Sequence, residues 1–120
     1  MGRDSTKDPA ANLELVKGTL DMLILRTLRL GPQHGHGIVR LIEQTSGSAL
    51  RVDNGSLYPA LQRLQQETWI SAQWGVSQNG RRAKFYSLTP AGRRQLNAES
   101  SRWERLTKAI AMVMKPARQE

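Results

Sequence analysis

The chain has 120 residues, with 18 Lys and Arg against 10 Asp and Glu, a formal charge of +8, 38% apolar residues, 5% aromatics and no cysteine. That length supports one modest core in one domain, and the lack of cysteine excludes a disulfide framework, a thiolate metal site and a cysteine nucleophile. No apolar run reaches the roughly 18 residues of a membrane span and no signal-peptide core is present, so no membrane partner and a cytoplasmic location are expected.

Residues 1–12, MGRDSTKDPAAN, read as a disordered polar leader. Met1-Gly2 followed by Thr6 formally fits an N-myristoylation template, but nothing else points to a membrane. A helix is expected from Asn12 to Leu30, with Leu20, Leu23, Ile24, Thr27 and Leu28 on one apolar face and Gly31-Pro32 as its stop. GPQHGHG lacks the Gly-Lys-Ser/Thr of a phosphate loop and reads as a helix–helix connection. A second helix runs from about Gly35 to Thr45, burying Ile38, Leu41 and Ile42 and ending at Ser46-Gly47. ALRV reads as a short extended piece.

The stretch DNGSLYPALQRLQQE follows. Leu57, Leu61 and Leu64 recur at helical spacing, and Asp53 is a good N-cap that starts the helix at Asn54. Pro59 then falls in the second turn and forfeits one backbone hydrogen bond; a start at Ser56 would avoid that loss. WISAQWGVS alternates strictly at Ile70, Ala72, Trp74 and Val76, the pattern of a half-buried strand. Asn79-Gly80 signals a hairpin, and RRAKFYSL returns as the partner strand. A two-residue turn there would set Trp74 against Phe85 and Val76 against Ala83. Thr89 as N-cap and Pro90 at the first helical position then open a last helix that runs to roughly Met114.

Three helices followed by a hairpin make a winged helix-turn-helix, so the fold class is mainly α with a small β-hairpin. The expected organisation is a leader (1–12), the winged helix-turn-helix DNA-binding domain (13–90), a C-terminal dimerisation helix (91–115) and a tail (116–120). Charge fits that reading. Residues 1–80 balance at 8 − 7 = +1, whereas residues 81–120 balance at 10 − 3 = +7, and such a local surplus suits a polyanion.

In this fold the third helix enters the major groove of duplex DNA and presents its N-terminal residues to base edges. Asn54, Ser56 and Gln62 are the candidates for base contacts. Tyr58 suits a phosphate, and Arg63 is an auxiliary candidate. Arg81, Arg82 and Lys84, beside the hairpin turn, are placed to meet the backbone. Trp103, Leu106, Ile110 and Val113, spaced by 3, 4 and 3, form a seam suited to a subunit interface.

GTLDMLILRTL, HGHGIVRLIE, GSLYPALQRLQQETWI and RRAKFYSLTPAGRRQL together resemble the PadR family of bacterial transcriptional regulators over residues 13–113. The resemblance implies a homodimeric winged-helix regulator, usually a repressor, of the short branch with a single C-terminal helix. It also implies that Trp103 can line a cavity between subunits that takes small planar apolar effectors. This chain departs from the family pattern at two places. His36 stands where Tyr is usual, a candidate phosphate contact of altered strength, and Thr68 stands where Gly is usual, a costly choice if the chain turns left-handed there.

His34 and His36 lack further ligands at metal spacing, so no metal is expected. No acid/base or nucleophile constellation is legible, so neither enzyme activity nor a cofactor is expected. The competing reading is a winged-helix module that binds RNA or a protein partner.

Overall fold

A computed structural model of the protein describes residues 17–116. The elements are α1 (Lys17–Leu28), β1 (Gln33–His34), α2 (Gly35–Thr45), α3 (Asn54–Gln66), β2 (Ile70–Val76), β3 (Arg82–Leu88) and α4 (Pro90–Met114). The expected leader, the opening of the first expected helix and residues 117–120 of the expected tail lie outside the described residues.

The core gathers around α1, which contacts α2, α3, α4 and β3. With neighbours on so many sides, α1 buries more than one face. Met22 and Leu25 are buried beside Leu20, Ile24 and Leu28, while Leu23 is only partly covered. From α3, Leu57, Leu61 and Leu64 are fully buried, as their spacing predicts. Each such leucine contributes about 1.5–3 kcal/mol by leaving water. Ile38, Ile42, Ile70, Tyr86 and Leu96 close the cluster.

The short strand is not where the sequence suggested. Residues 49–52 form no strand; β1 lies instead within GPQHGHG, where Gln33 and His34 pair antiparallel with Tyr86 and Phe85. The difference is the availability of a neighbour. Residues 33–34 run beside the free edge of β3, giving a sheet of order β1-β3-β2. Residues 49–52 are held by side chains: the Leu50 N–H donates to Ser46 Oγ at 3.0 Å, and the Val52 N–H to Glu43 Oε2 at 3.4 Å.

The hairpin register also differs by one residue. Gly80 N–H donates to the Ser77 carbonyl at 2.9 Å and Ser77 N–H to the Arg81 carbonyl at 2.8 Å, so the loop has three residues, Gln78 to Gly80. Of the two residues a primed turn would need at positive φ, only Gly80 has it, at +78°. Trp74 therefore faces Lys84 and Val76 faces Arg82. Phe85 moves to the other face, where its ring meets His34 edge-on at 5.4 Å. The expected alternation survives only at the base of the wing: Ile70 is buried, whereas Trp74 and Val76 are 57% and 69% exposed.

The end of α3 explains the odd residue before Trp69. Trp69 N–H donates to the Leu64 carbonyl and Thr68 N–H to the Gln65 carbonyl, the two bonds of a Schellman cap. Its left-handed position is held by Thr68 at φ +62°, a conformation that a β-branched residue adopts at a cost. The Thr89 hydroxyl compensates in part by donating to the Thr68 carbonyl at 2.7 Å. Thr68→Gly should therefore raise stability by about 1 kcal/mol, the relief of left-handed strain less glycine's larger chain entropy. Thermal melting checks it, and an unchanged or lower midpoint would contradict the strain account.

Candidate nucleic-acid interface

Asp53 caps α3 as expected: its Oδ1 accepts from the Ser56 N–H at 2.8 Å, and the helix starts at Asn54. Pro59 thus lies inside the helix, and the carbonyl left without its helical donor is that of Gly55, four residues earlier. Both sit on the exposed side, so water can satisfy that carbonyl. Asn54, Ser56, Tyr58 and Gln62 are exposed around the leucine stripe. None of their side chains bonds to another described residue.

Arg63 behaves differently. Its Nη2 lies 2.7 Å from Asp21 Oδ1 on α1, and its Nε is buried without a partner among the described residues. The guanidinium anchors α3 to α1 rather than projecting with Gln62.

Helix α2 meets α3 at glycine. A Cβ on Gly35 would stand 2.8 Å from the Tyr58 hydroxyl oxygen, so the phenol lies across the first turn of α2. His34 caps that turn, its Nδ1 accepting from the Gly37 N–H at 3.0 Å. His36 is exposed and stacks on His34, with ring centroids 6.5 Å apart. Burial pushes the Tyr86 phenol above its ordinary value, with the neighbouring Tyr58 adding to the shift, and the side chain belongs to the core.

Between the start of α2 and the wing tip lies a cleft of about 400 Å³ lined by His36, Arg40, Asn79, Arg81 and Arg82 among others. Lys84 is exposed farther down β3. Arg40 was missed by sequence reading, although it lies four residues after His36 and so shares its helix face. Trp74 was missed as well, because it was expected in the half-buried sheet; the Arg82 guanidinium carbon instead lies 4.6 Å from its ring centroid. The arrangement offers hydrogen-bonding side chains on one helix and cations on two flanking elements. It suits recognition of a polyanion. Among the described residues, no three His, Asp or Glu side chains cluster to hold a metal, and no helix is long and apolar enough to cross a membrane.

Beyond this surface, α4 carries Trp103, Leu106 and Ile110 at 42%, 48% and 49% exposure, with Val113 at 81%. Among the described residues none covers the seam.

The family model for PadR-like transcriptional regulators matches residues 24–98, more than half of the chain. The chain belongs to the PadR-like family. Its members are transcriptional regulators rather than enzymes, and PadR regulators bind DNA. A transcriptional regulator from Clostridium thermocellum superimposes with a TM-score of 0.76 at 25% identity, covering 85% of this chain and 99% of that one. A transcriptional regulator of Mycobacterium tuberculosis is 33% identical over 70 residues, which are 58% of this chain and 64% of the relative. A 37.1 kDa protein of a Streptomyces fradiae transposon is 42% identical over 86 residues; the match spans 72% of this chain but only 23% of that protein. The PadR winged-helix fold is shared, with the β-hairpin as the wing.

Proposed function

We propose that this PadR-like regulator is a sequence-specific repressor that binds a palindromic operator as a symmetric homodimer. In this reading residues 13–90 bind DNA and residues 91–115 form the dimerisation helix. Helix α3 reads bases through Asn54, Ser56 and Gln62, while Tyr58 and His36 hold phosphates. Arg81, Arg82 and Lys84 of the wing, joined by Arg40, supply affinity that does not depend on sequence. Arg63 orients α3 from behind through Asp21. The Trp103–Leu106–Ile110–Val113 seam pairs across a two-fold axis, and a small planar apolar effector stacking near Trp103 releases the operator.

The observation that carries this reading is the surface of α3. Its leucines are buried, while its amide and hydroxyl side chains are exposed and bonded to no described residue, and Tyr58 reaches the start of α2, which borders a cleft rich in arginine. An amide can pair bidentately with adenine, and each guanidinium can neutralise a phosphate.

Selection from a random duplex pool, followed by titration in salt, tests the proposal. If a dimer neutralises about eight phosphates, log K should fall against log salt with a slope near −7. Arg81→Ala with Arg82→Ala should weaken binding to all duplexes alike and flatten that slope. Gln62→Ala should instead cost about 1–3 kcal/mol at one base pair per half-site and relax the preference there. A chain that selects no duplex, or that prefers RNA, would overturn the reading.

A further inference from the structure

One face of the hairpin changes character along its length. At its base Ile70 and Tyr86 are buried in the core, but at its tip Trp74 is 57% exposed and Val76 69% exposed. Directly opposite these two apolar residues, across the β2–β3 ladder, stand Lys84 and Arg82. The Arg82 guanidinium carbon lies 4.6 Å from the Trp74 ring centroid, within the range of a cation–π contact. Among the described residues no carboxylate pairs with Arg82. Among the described residues, then, an aromatic face and not an anion lies against the arginine.

That distinction matters for a cation that has to meet a phosphate. A carboxylate partner would order the side chain but cancel its charge and compete with DNA for its donors. An indole orders it and leaves both the charge and the five N–H donors available. An exposed arginine loses considerable rotamer freedom when it binds, and holding it in advance removes part of that cost. Arg82 is also among the residues that line the cleft shared with His36 and Arg40, so it belongs to the basic surface of the wing.

We propose that Trp74 is a positioning residue for DNA binding, holding Arg82 in place on the wing without neutralising it. This rests on the reading of the wing as a DNA-backbone contact and names a residue that reading does not otherwise use. A tryptophan exposed at the tip of a hairpin, away from the core, would otherwise be a liability.

The test compares duplex binding by the full chain carrying Trp74→Leu, Trp74→Phe, Arg82→Ala and the Trp74→Leu/Arg82→Ala pair. Trp74→Leu should weaken binding about twofold to fivefold at fixed salt, the range expected for an exposed cation–π contact. Trp74→Phe should recover part of that loss, because the ring face is kept. In the Arg82→Ala background, Trp74→Leu should add no further loss, and Trp74→Leu should lower the melting midpoint by no more than the few degrees that one exposed cation–π contact is worth. Equal losses with and without Arg82, no loss in either background, or a fall in midpoint of more than about 10 °C with Trp74→Leu, the mark of a core residue, would each overturn the proposal. A wild-type chain that binds no duplex would overturn the DNA reading itself, and it would do so before any variant is compared.

Discussion

Gly92→Ala should destabilise the protein by at least about 3 kcal/mol, a large fraction of what a domain of this size has, and lower its melting midpoint by more than about 10 °C. Gly92 sits in the first turn of α4, where its N–H donates to the capping Thr89 hydroxyl at 3.0 Å. A Cβ there would run into the Trp69 carbonyl oxygen and stand 2.9 Å from both the Trp69 carbonyl carbon and Leu88 Cδ1. The obstacle is backbone, and that backbone is tethered. Thr89 N–H donates to the Trp69 carbonyl at 3.0 Å, and the Thr89 hydroxyl donates to the Thr68 carbonyl at 2.7 Å. Relief would require either separating α4 from the α3–β2 turn or breaking the cap. Arg93→Ala, one residue on and exposed, is the control and should stay within about 0.5 kcal/mol of wild type. A Gly92→Ala protein that melts with the wild type would show that the junction is looser than this geometry implies.

The second large effect concerns assembly. On the proposed dimer, Ile110→Glu should convert the protein to a monomer in sedimentation, and Trp103→Ala should shift it the same way more weakly. Both side chains are about half exposed within their own subunit, at 49% and 42%, so neither change should disturb the monomer's core. Placing a carboxylate in the middle of an apolar seam, opposite its own symmetry copy, removes apolar burial and adds like-charge repulsion. Affinity for a full palindrome should fall on the order of 10²–10⁴-fold toward that of one half-site, because the second half-site loses its tether. Affinity for an isolated half-site should barely change. If Ile110→Glu stays dimeric and holds the palindrome, the interface lies elsewhere on the surface. Quenching by a planar apolar compound that persists in Trp103→Ala would separately reject the effector pocket.

Much of the α3 surface is legible in the sequence. Asp53, Thr89 with Pro90, and Ser46-Gly47 mark helix ends through contacts that span only a few residues, and all three act as the sequence predicts. The leucine stripe of α3 needs only helical periodicity, which also leaves Asn54, Ser56, Tyr58 and Gln62 facing out. Thr68 could be flagged from its departure from glycine, and it does take the left-handed position.

Tertiary structure decided what depends on partners distant in the chain. The salt bridge that draws Arg63 inward reaches Asp21, 42 residues earlier, and nothing local to α3 distinguishes Arg63 from a solvent-facing arginine. The strand at Gln33 and His34 exists because β3, about fifty residues later, offers an edge to pair with. Met22 and Leu25 are buried because α1 is surrounded, a property of its neighbours and not of its own periodicity. A single extra loop residue moved every cross-strand pair of the wing by one place. Trp74 thereby came to lie across from Lys84, and the wing extends past the core that would have covered its indole. Caps and stripes are set by interactions within a turn or two of chain, so residue types and spacing suffice for them. Register, burial on every side and ion pairing are set by which surfaces meet, and only the assembled fold brings those surfaces together.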